Sequence, residues 1–231
     1  MAKKTDYLFS NVWTVPNLLS FIRILLVPVF AFLFYKGYTL NESSYLIWAV
    51  AVLGLSGLSD FFDGKIARRF NQISELGKIL DPIADKLTQA TIAVMLFYTF
   101  FKAENRTLHL FAYVFLLFIV KELVMLIGGA LMIYFGIRPG AAEIFGKVAT
   151  MAFYLVMIFI IAFGPEVGAF RSVFTIPDPV MMVLVVISVI LTFTAFASYM
   201  PETRRQVKER FSPEGKAKAK AEKEAAKKTD A

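Results

Sequence analysis

Six stretches of this chain are apolar, and this limits the fold more than any other feature. Five have lengths that suit a bilayer, and the second, the shortest, is expected to continue as a helix through Arg69. A helix needs about 20 apolar residues to cross the hydrocarbon core. The runs lie at about 17–35, 45–58, 83–101, 108–135, 141–163 and 180–199. Hydrophobic residues make up 58% of the chain, above the ~45–50% of a soluble domain. The expectation is an all-α membrane protein with six transmembrane helices. The first run is too long for a secretory signal, and no small-residue cleavage site follows it. Ahead of it, Tyr7, Leu8, Phe9, Val12 and Trp13 alternate with polar residues. That pattern predicts a short interfacial amphipathic helix over 1–16. The six-helix domain then covers 17–200, and a basic tail covers 201–231.

Charge sets the expected orientation. Six spans place both termini on one side. That side carries Lys3, Lys4, Lys65, Arg68, Arg69, Lys78, Arg138 and the tail, which holds ten Lys/Arg against six Asp/Glu. The opposite side carries Lys36, Lys102, Arg106 and Arg171. By the positive-inside rule the first side is cytoplasmic, so the chain is expected to be a multi-pass protein of the cytoplasmic membrane. The tail suits anionic lipid headgroups or a solvated, partly helical segment. It has almost no aromatics to stack bases, so nucleic-acid binding is not expected. Absence of cysteine excludes disulfides, thiolate metal sites and cysteine catalysis. His109 is the only histidine, so a metal here must use oxygen ligands.

Polar chemistry concentrates between residues 60 and 85, in DFFDGKIARRFNQISELGKILDPIAD. Intramembrane and membrane-edge carboxylates are costly and mark function. Helical periodicity places Asp60, Asp63, Gly64 and Ala67 on one stripe of the second helix, and Gly77, Asp81 and Asp85 on one stripe of the third. With those two helices as antiparallel neighbours, the stripes face each other and gather four carboxylates at the cytoplasmic surface. Gly64, Ala67 and Gly77 allow close approach or leave room for a ligand. Oxygen-only ligands select hard ions such as Mg²⁺, Mn²⁺ or Ca²⁺. Two divalent cations balance four negative charges, and paired metals typically serve phosphoryl transfer. One aspartate can then take a proton from an attacking hydroxyl, and Arg68 can grip a leaving phosphate. Taken alone, Asp60 and Asp63 also fit a charged collar paired with Lys65, Arg68 and Arg69.

These residues resemble the signature of the CDP-alcohol phosphotransferases, integral-membrane enzymes of phospholipid synthesis. The signature is Asp, two residues, Asp-Gly, two residues, Ala-Arg, eight residues, Gly, three residues, Asp, three residues, Asp. Asp60, Asp63, Gly64, Ala67, Arg68, Gly77, Asp81 and Asp85 fill every position. The resemblance implies that an alcohol displaces CMP from a CDP-linked donor. It implies two Mg²⁺ or Mn²⁺ ions on Asp60, Asp63 and Asp81, with Asp85 ligating or acting as catalytic base. It implies donor contacts from Asp60, Gly64, Ala67, Arg68 and Gly77, and a homodimer.

Within the family, Pro16-Asn17-Leu18-Leu19-Ser20 followed by Arg23, and Asp81-Pro82-Ile83-Ala84-Asp85-Lys86, resemble the bacterial phosphatidylglycerophosphate synthases. There, glycerol 3-phosphate attacks CDP-diacylglycerol. A phosphorylated acceptor needs cations, and the candidates are Arg23, Lys121, Arg138 and Lys147. Gly146-Lys147-Val148-Ala149-Thr150 departs from that branch, which often has a second lysine where Ala149 stands. In that respect it resembles the cardiolipin synthases, whose acceptor is phosphatidylglycerol. Arg23 also suits snorkelling to the interface, and Arg138 a plain loop charge. Lys121 and Glu122 are adjacent and are not expected to share a face; Glu122 suits a cation on another helix. Trp13, Trp48 and His109 are expected at interfaces. The competing class is a cation channel or transporter. Such proteins more often carry their charges at mid-membrane on broken helices, whereas here the acids cluster at one surface.

Overall fold

A computed structural model describes residues 14–69, 77–135 and 144–213, with the side chains of 61–68, 78–79, 133–134 and 144–145 outside the described set. The expected interfacial helix, the turn at 71–75, the break at 136–140 and residues 214–231 lie outside the described residues. Six helices follow one another: α1 Val15–Thr39, α2 Ser43–Arg69, α3 Gly77–Phe101, α4 Arg106–Tyr134, α5 Ile144–Phe163 and α6 Asp178–Phe211. Among the described residues there is no strand. At 25 residues, α1 is about 37 Å long, enough to cross a membrane.

Local sequence explains the ends. Thr14 caps α1 by accepting a hydrogen bond from the Asn17 amide at 3.4 Å, and Pro16 sits in the first turn, where no amide proton is needed. The α1–α2 link is tight, with Asn41 at φ 56°, a left-handed conformation that asparagine tolerates. Gly37 lies against Leu46 so closely that a Cβ there would come within 2.7 Å of Leu46 Cγ.

Going round the bundle by its extensive contacts, the order is α1, α2, α5, α6, α4, α3 and back to α1. Stacked rings seal the centre: Phe100 lies on Phe115 at 5.6 Å, and Phe118 on Phe153 at 4.2 Å. The outside is apolar, with Phe32, Trp48, Leu117 and Met151 all exposed. Exposed apolar side chains on long helices are what a lipid solvent requires, and the chain is an all-α membrane protein.

Two expectations need adjusting. Among the described residues, five of the six helices are long and apolar enough to cross a membrane by composition, and α3 falls short. Its first half carries Asp81, Asp85, Lys86, Thr88 and Gln89, and the last two are buried inside the protein. The polar half of α3 therefore faces neighbouring helices. The second difference is at Pro201, where the sequence suggests a stop. The helix runs on to Phe211, because the following residues pair along it: Glu202 with Arg205 and Gln206, each at 2.9 Å.

Candidate active site

The site begins on α1. Asn17, Ser20 and Arg23 are spaced by three, lie on one face and are all buried. Three polar residues on one stripe of an apolar helix must find partners inside the protein. Arg23 is 1% exposed, so it does not snorkel. Its Nη1 lies 2.5 Å from Asp60 Oδ1 on α2. The Ser20 hydroxyl hydrogen-bonds Asp81 Oδ1 on α3 and lies 3.0 Å from the Pro16 carbonyl; it has one proton for the two.

These contacts revise the expected arrangement. The sequence suggests that α2 and α3 face each other directly. In the structure α1 packs extensively on both and supplies a partner to a carboxylate of each. Asp60 still lies within electrostatic reach of Asp81 and Asp85, so three of the four motif aspartates share one region. Asp63, Gly64, Ala67 and Arg68 lie on α2, but their side chains are outside the described set. Gly77 is buried at the start of α3.

Asp85 differs from the other two. Gln89 Nε2 donates to its Oδ2 at 3.0 Å, and Tyr154 on α5 donates to its backbone carbonyl at 3.5 Å. Its Oδ1 is buried and, among the described residues, accepts no hydrogen bond. An orphaned carboxylate oxygen in an all-oxygen donor set fits a hard cation. Among the described residues, no three carboxylates converge closely enough to hold an ion together; Asp63 is outside that set.

The acceptor candidates separate. Lys121 and Glu122 are both 5% exposed and pair at 2.5 Å, although adjacent helix positions point about 100° apart. The flexible lysine stem wraps back over the Phe118 ring at 4.7 Å. Glu122 also meets a cation on another helix, as expected: Lys86 on α3, at 3.0 Å. Lys147 is exposed at the start of α5, and Arg138 lies outside the described residues. Beside Lys147, the hydroxyl of Tyr199 on α6 lies directly over Gly146, where a Cβ would collide with it. Sequence reasoning named Ser20 only as part of the Pro16–Ser20 opening and gave it no role, and it missed Gln89 and Tyr199. The advance signal for Gln89 is a polar residue in helical register with Asp85.

A profile of the CDP-alcohol phosphatidyltransferase family matches residues 13–198. The chain belongs to that family. Among its relatives, the CDP-diacylglycerol–glycerol-3-phosphate 3-phosphatidyltransferase of Aquifex aeolicus is 35% identical over 175 residues, 75% of this chain and 90% of that protein. The CMP-forming cardiolipin synthase of Streptomyces coelicolor is 48% identical over 81 residues, 34% of this chain and 36% of that protein. The human CMP-forming cardiolipin synthase is 45% identical over 95 residues, 41% of this chain and 29% of that protein. The chain thus spans about a third of the length of these cardiolipin synthases. Three aspartates of the signature, Asp60, Asp81 and Asp85, are each contacted by a buried polar residue outside it: Arg23, Ser20 and Gln89.

Proposed function

We propose that the chain moves the phosphatidyl group from CDP-diacylglycerol to glycerol 3-phosphate and releases CMP, working at the cytoplasmic face of the cytoplasmic membrane. The observation that carries this reading is the pairing of Asp60 and Asp81 with buried residues of α1, with Asp85 one turn after Asp81 and one of its oxygens unpartnered among the described residues. Family membership supports the CDP-linked donor. The Aquifex relative, matched over most of both chains, supports glycerol 3-phosphate. The lysine and arginine distribution supports the orientation. A homodimer rests on the family resemblance alone; the division into an interfacial helix over 1–16, a catalytic domain over 17–200 and a basic tail beyond rests on the amphipathic, apolar and charge patterns of the sequence.

Asp60, Asp63, Asp81 and Asp85 are the residues that would hold two divalent cations, Mg²⁺ or Mn²⁺. When bound, such cations neutralise the donor diphosphate and the charge that develops on the leaving CMP. The chain's own residues do the rest. Arg23 and Ser20 orient Asp60 and Asp81. Gly64, Ala67 and Gly77 leave space for the cytidine, and Arg68 binds the donor phosphates. Asp85 takes the proton from the acceptor hydroxyl. The hydroxyl oxygen bonds to the phosphatidyl phosphorus as the bond from that phosphorus to the CMP oxygen breaks.

A second reading has its own observation. Arg23 and Lys121 are already paired with carboxylates, and Ala149 is buried where a second lysine is often found. Among the described candidates, Lys147 alone is exposed to an incoming phosphate. A site with few open cations suits phosphatidylglycerol, the acceptor of cardiolipin synthesis. The test is CMP release by purified protein with Mn²⁺ and CDP-diacylglycerol, comparing glycerol 3-phosphate, phosphatidylglycerol and inositol phosphate. Preference for glycerol 3-phosphate supports the first reading, and preference for phosphatidylglycerol the second. No CMP with any acceptor sinks both.

A further inference from the structure

We propose that Gln89 is a positioning residue for Asp85, held in place by an ionic chain that runs from the buried Lys121–Glu122 pair on α4 through the partly exposed Lys86. The proposal rests on the phosphatidyl-transfer reading above and adds residues that lie outside the family signature.

Gln89 is 1% exposed, and a buried amide is costly unless both its ends are bonded. It sits one turn after Asp85 on α3, so the two share a face. Its Nε2 donates to Asp85 Oδ2 at 3.0 Å, and its Oε1 accepts from Lys86 Nζ at 3.5 Å. Chemistry permits only this orientation of the amide. The flipped form would aim its hydrogens at an ammonium group and its carbonyl at a carboxylate.

Lys86 is restrained in turn. Glu122 Oε2 on α4 lies 3.0 Å from its Nζ, and Glu122 Oε1 lies 2.5 Å from Lys121 Nζ. Glu122 and Lys121 are both buried, so neither can release its partner to water without stranding a charge. The connected order is Lys121, Glu122, Lys86, Gln89, Asp85. It crosses from α4 to α3, two helices already packed on each other. Its last link ties down one oxygen of Asp85 and leaves the other, Oδ1, as the oxygen that accepts no hydrogen bond among the described residues. A base that must meet a hydroxyl in one orientation gains from a carboxylate that cannot rotate.

The test uses the full-length protein in detergent. Gln89→Glu keeps the side chain's size and an oxygen for Lys86 but has no N–H for Asp85. Gln89→Met keeps the size and removes both contacts. In each, kcat for CMP release should fall about tenfold, the scale of one lost buried hydrogen bond. The KM for CDP-diacylglycerol should stay within about twofold, since uniform binding is untouched. A second readout is independent of turnover. Gln89→Met should lower the thermal midpoint in the wild-type background and have much less effect alongside Asp85→Ala, because the contact is then already gone. Glu122→Gln, which frees Lys86 while keeping shape, should lower kcat in the same direction. Folded Gln89 variants with wild-type kcat, or additive effects with Asp85→Ala, overturn the proposal. If Gln89→Met does not fold, the isosteric Gln89→Glu carries the kinetic test. Wild-type protein that releases no CMP overturns the parent reading and this proposal with it; active wild type with unchanged Gln89 variants overturns this proposal alone.

Discussion

Arg23 Nη1 lies 2.5 Å from Asp60 Oδ1, with the guanidinium sealed inside the bundle and the carboxylate 49% exposed at its end. The pair makes α1 a structural member of the site. A buried arginine strongly resists losing its counter-charge, and breaking a fully buried pair costs ~3–5 kcal/mol. Because Asp60 is half open to solvent, Arg23→Leu should cost less, about 2 kcal/mol. Combining it with Asp60→Asn should recover part of that stability while CMP release stays lost. Thermal unfolding beside a CMP assay checks this. A double variant no more stable than the sum of its singles would remove the pairing from the account.

The aspartates should separate into two kinetic classes. Asp60→Asn, Asp63→Asn and Asp81→Asn each remove a charge proposed to hold the cations, so CMP release should fall below detection. Asp85→Asn should keep CDP-diacylglycerol binding and lose transfer, as expected for a base. Donor binding to detergent-solubilised protein distinguishes the classes. Full turnover in any of the first three would defeat the two-metal assignment.

Gly146 and Tyr199 make a packing prediction beside the acceptor candidate Lys147. A Cβ at 146 would collide with the Tyr199 hydroxyl, whereas the ring carbon behind it would lie 3.3 Å away. Overpacking should then cost Gly146→Ala about 1–3 kcal/mol, reduced by the ~1 kcal/mol that alanine gains over glycine inside a helix. Tyr199→Phe removes the offending oxygen and should restore most of the loss. Denaturation midpoints of the three variants settle it; a Gly146→Ala protein more stable than wild type refutes the close approach.

Lys147 tests the acceptor. If its ammonium meets the phosphate of glycerol 3-phosphate, Lys147→Ala should raise the acceptor KM about tenfold, the scale of one charge-assisted contact. The KM for CDP-diacylglycerol should change little. An unmoved KM for glycerol 3-phosphate shifts the assignment to phosphatidylglycerol.

What could be read in advance follows from how each feature is encoded. The spans are written as length and hydropathy, and the aspartates as spacing, so both are visible without coordinates. The role of α1 is not. Ser20 in an apolar helix says little until Asp81 is seen beside it, and nothing in the 60–85 stretch names the helix that packs on it. Lys121 and Glu122 mislead for another reason. Adjacent residues point apart on a helical wheel, but burial forces a long lysine stem to bend toward the nearest carboxylate. Gln89 is hidden because glutamine is common enough in helices to attract no notice; its burial gives it meaning.

The extension of α6 past Pro201 carries the last prediction. Proline removes one helical hydrogen bond and its ring presses on the preceding turn, so a stop is the natural reading. The helix continues because its next turns have their own support. Arg205 lies 2.9 Å from Glu202 and 3.8 Å from Glu209, opposite charges at the spacings that support a helix. Its far end is docked on the residue that follows α4: Arg210 Nε donates to the Phe135 carbonyl at 2.9 Å, and the Phe135 and Phe211 rings meet edge to face at 5.3 Å. One hydrogen bond and one aromatic pair add about 2 kcal/mol. Replacing Arg210 and Phe211 together by alanine should then raise the undocked population about thirtyfold, at about 1.4 kcal/mol per factor of ten. Trypsin should cut after Arg204, Arg205 and Lys208 correspondingly faster, while the thermal midpoint of the bundle stays near wild type because the buried rings of α3, α4 and α5 are untouched. Equal cleavage rates in the two proteins would show that the dock contributes nothing and that local helix pairing alone holds the extension.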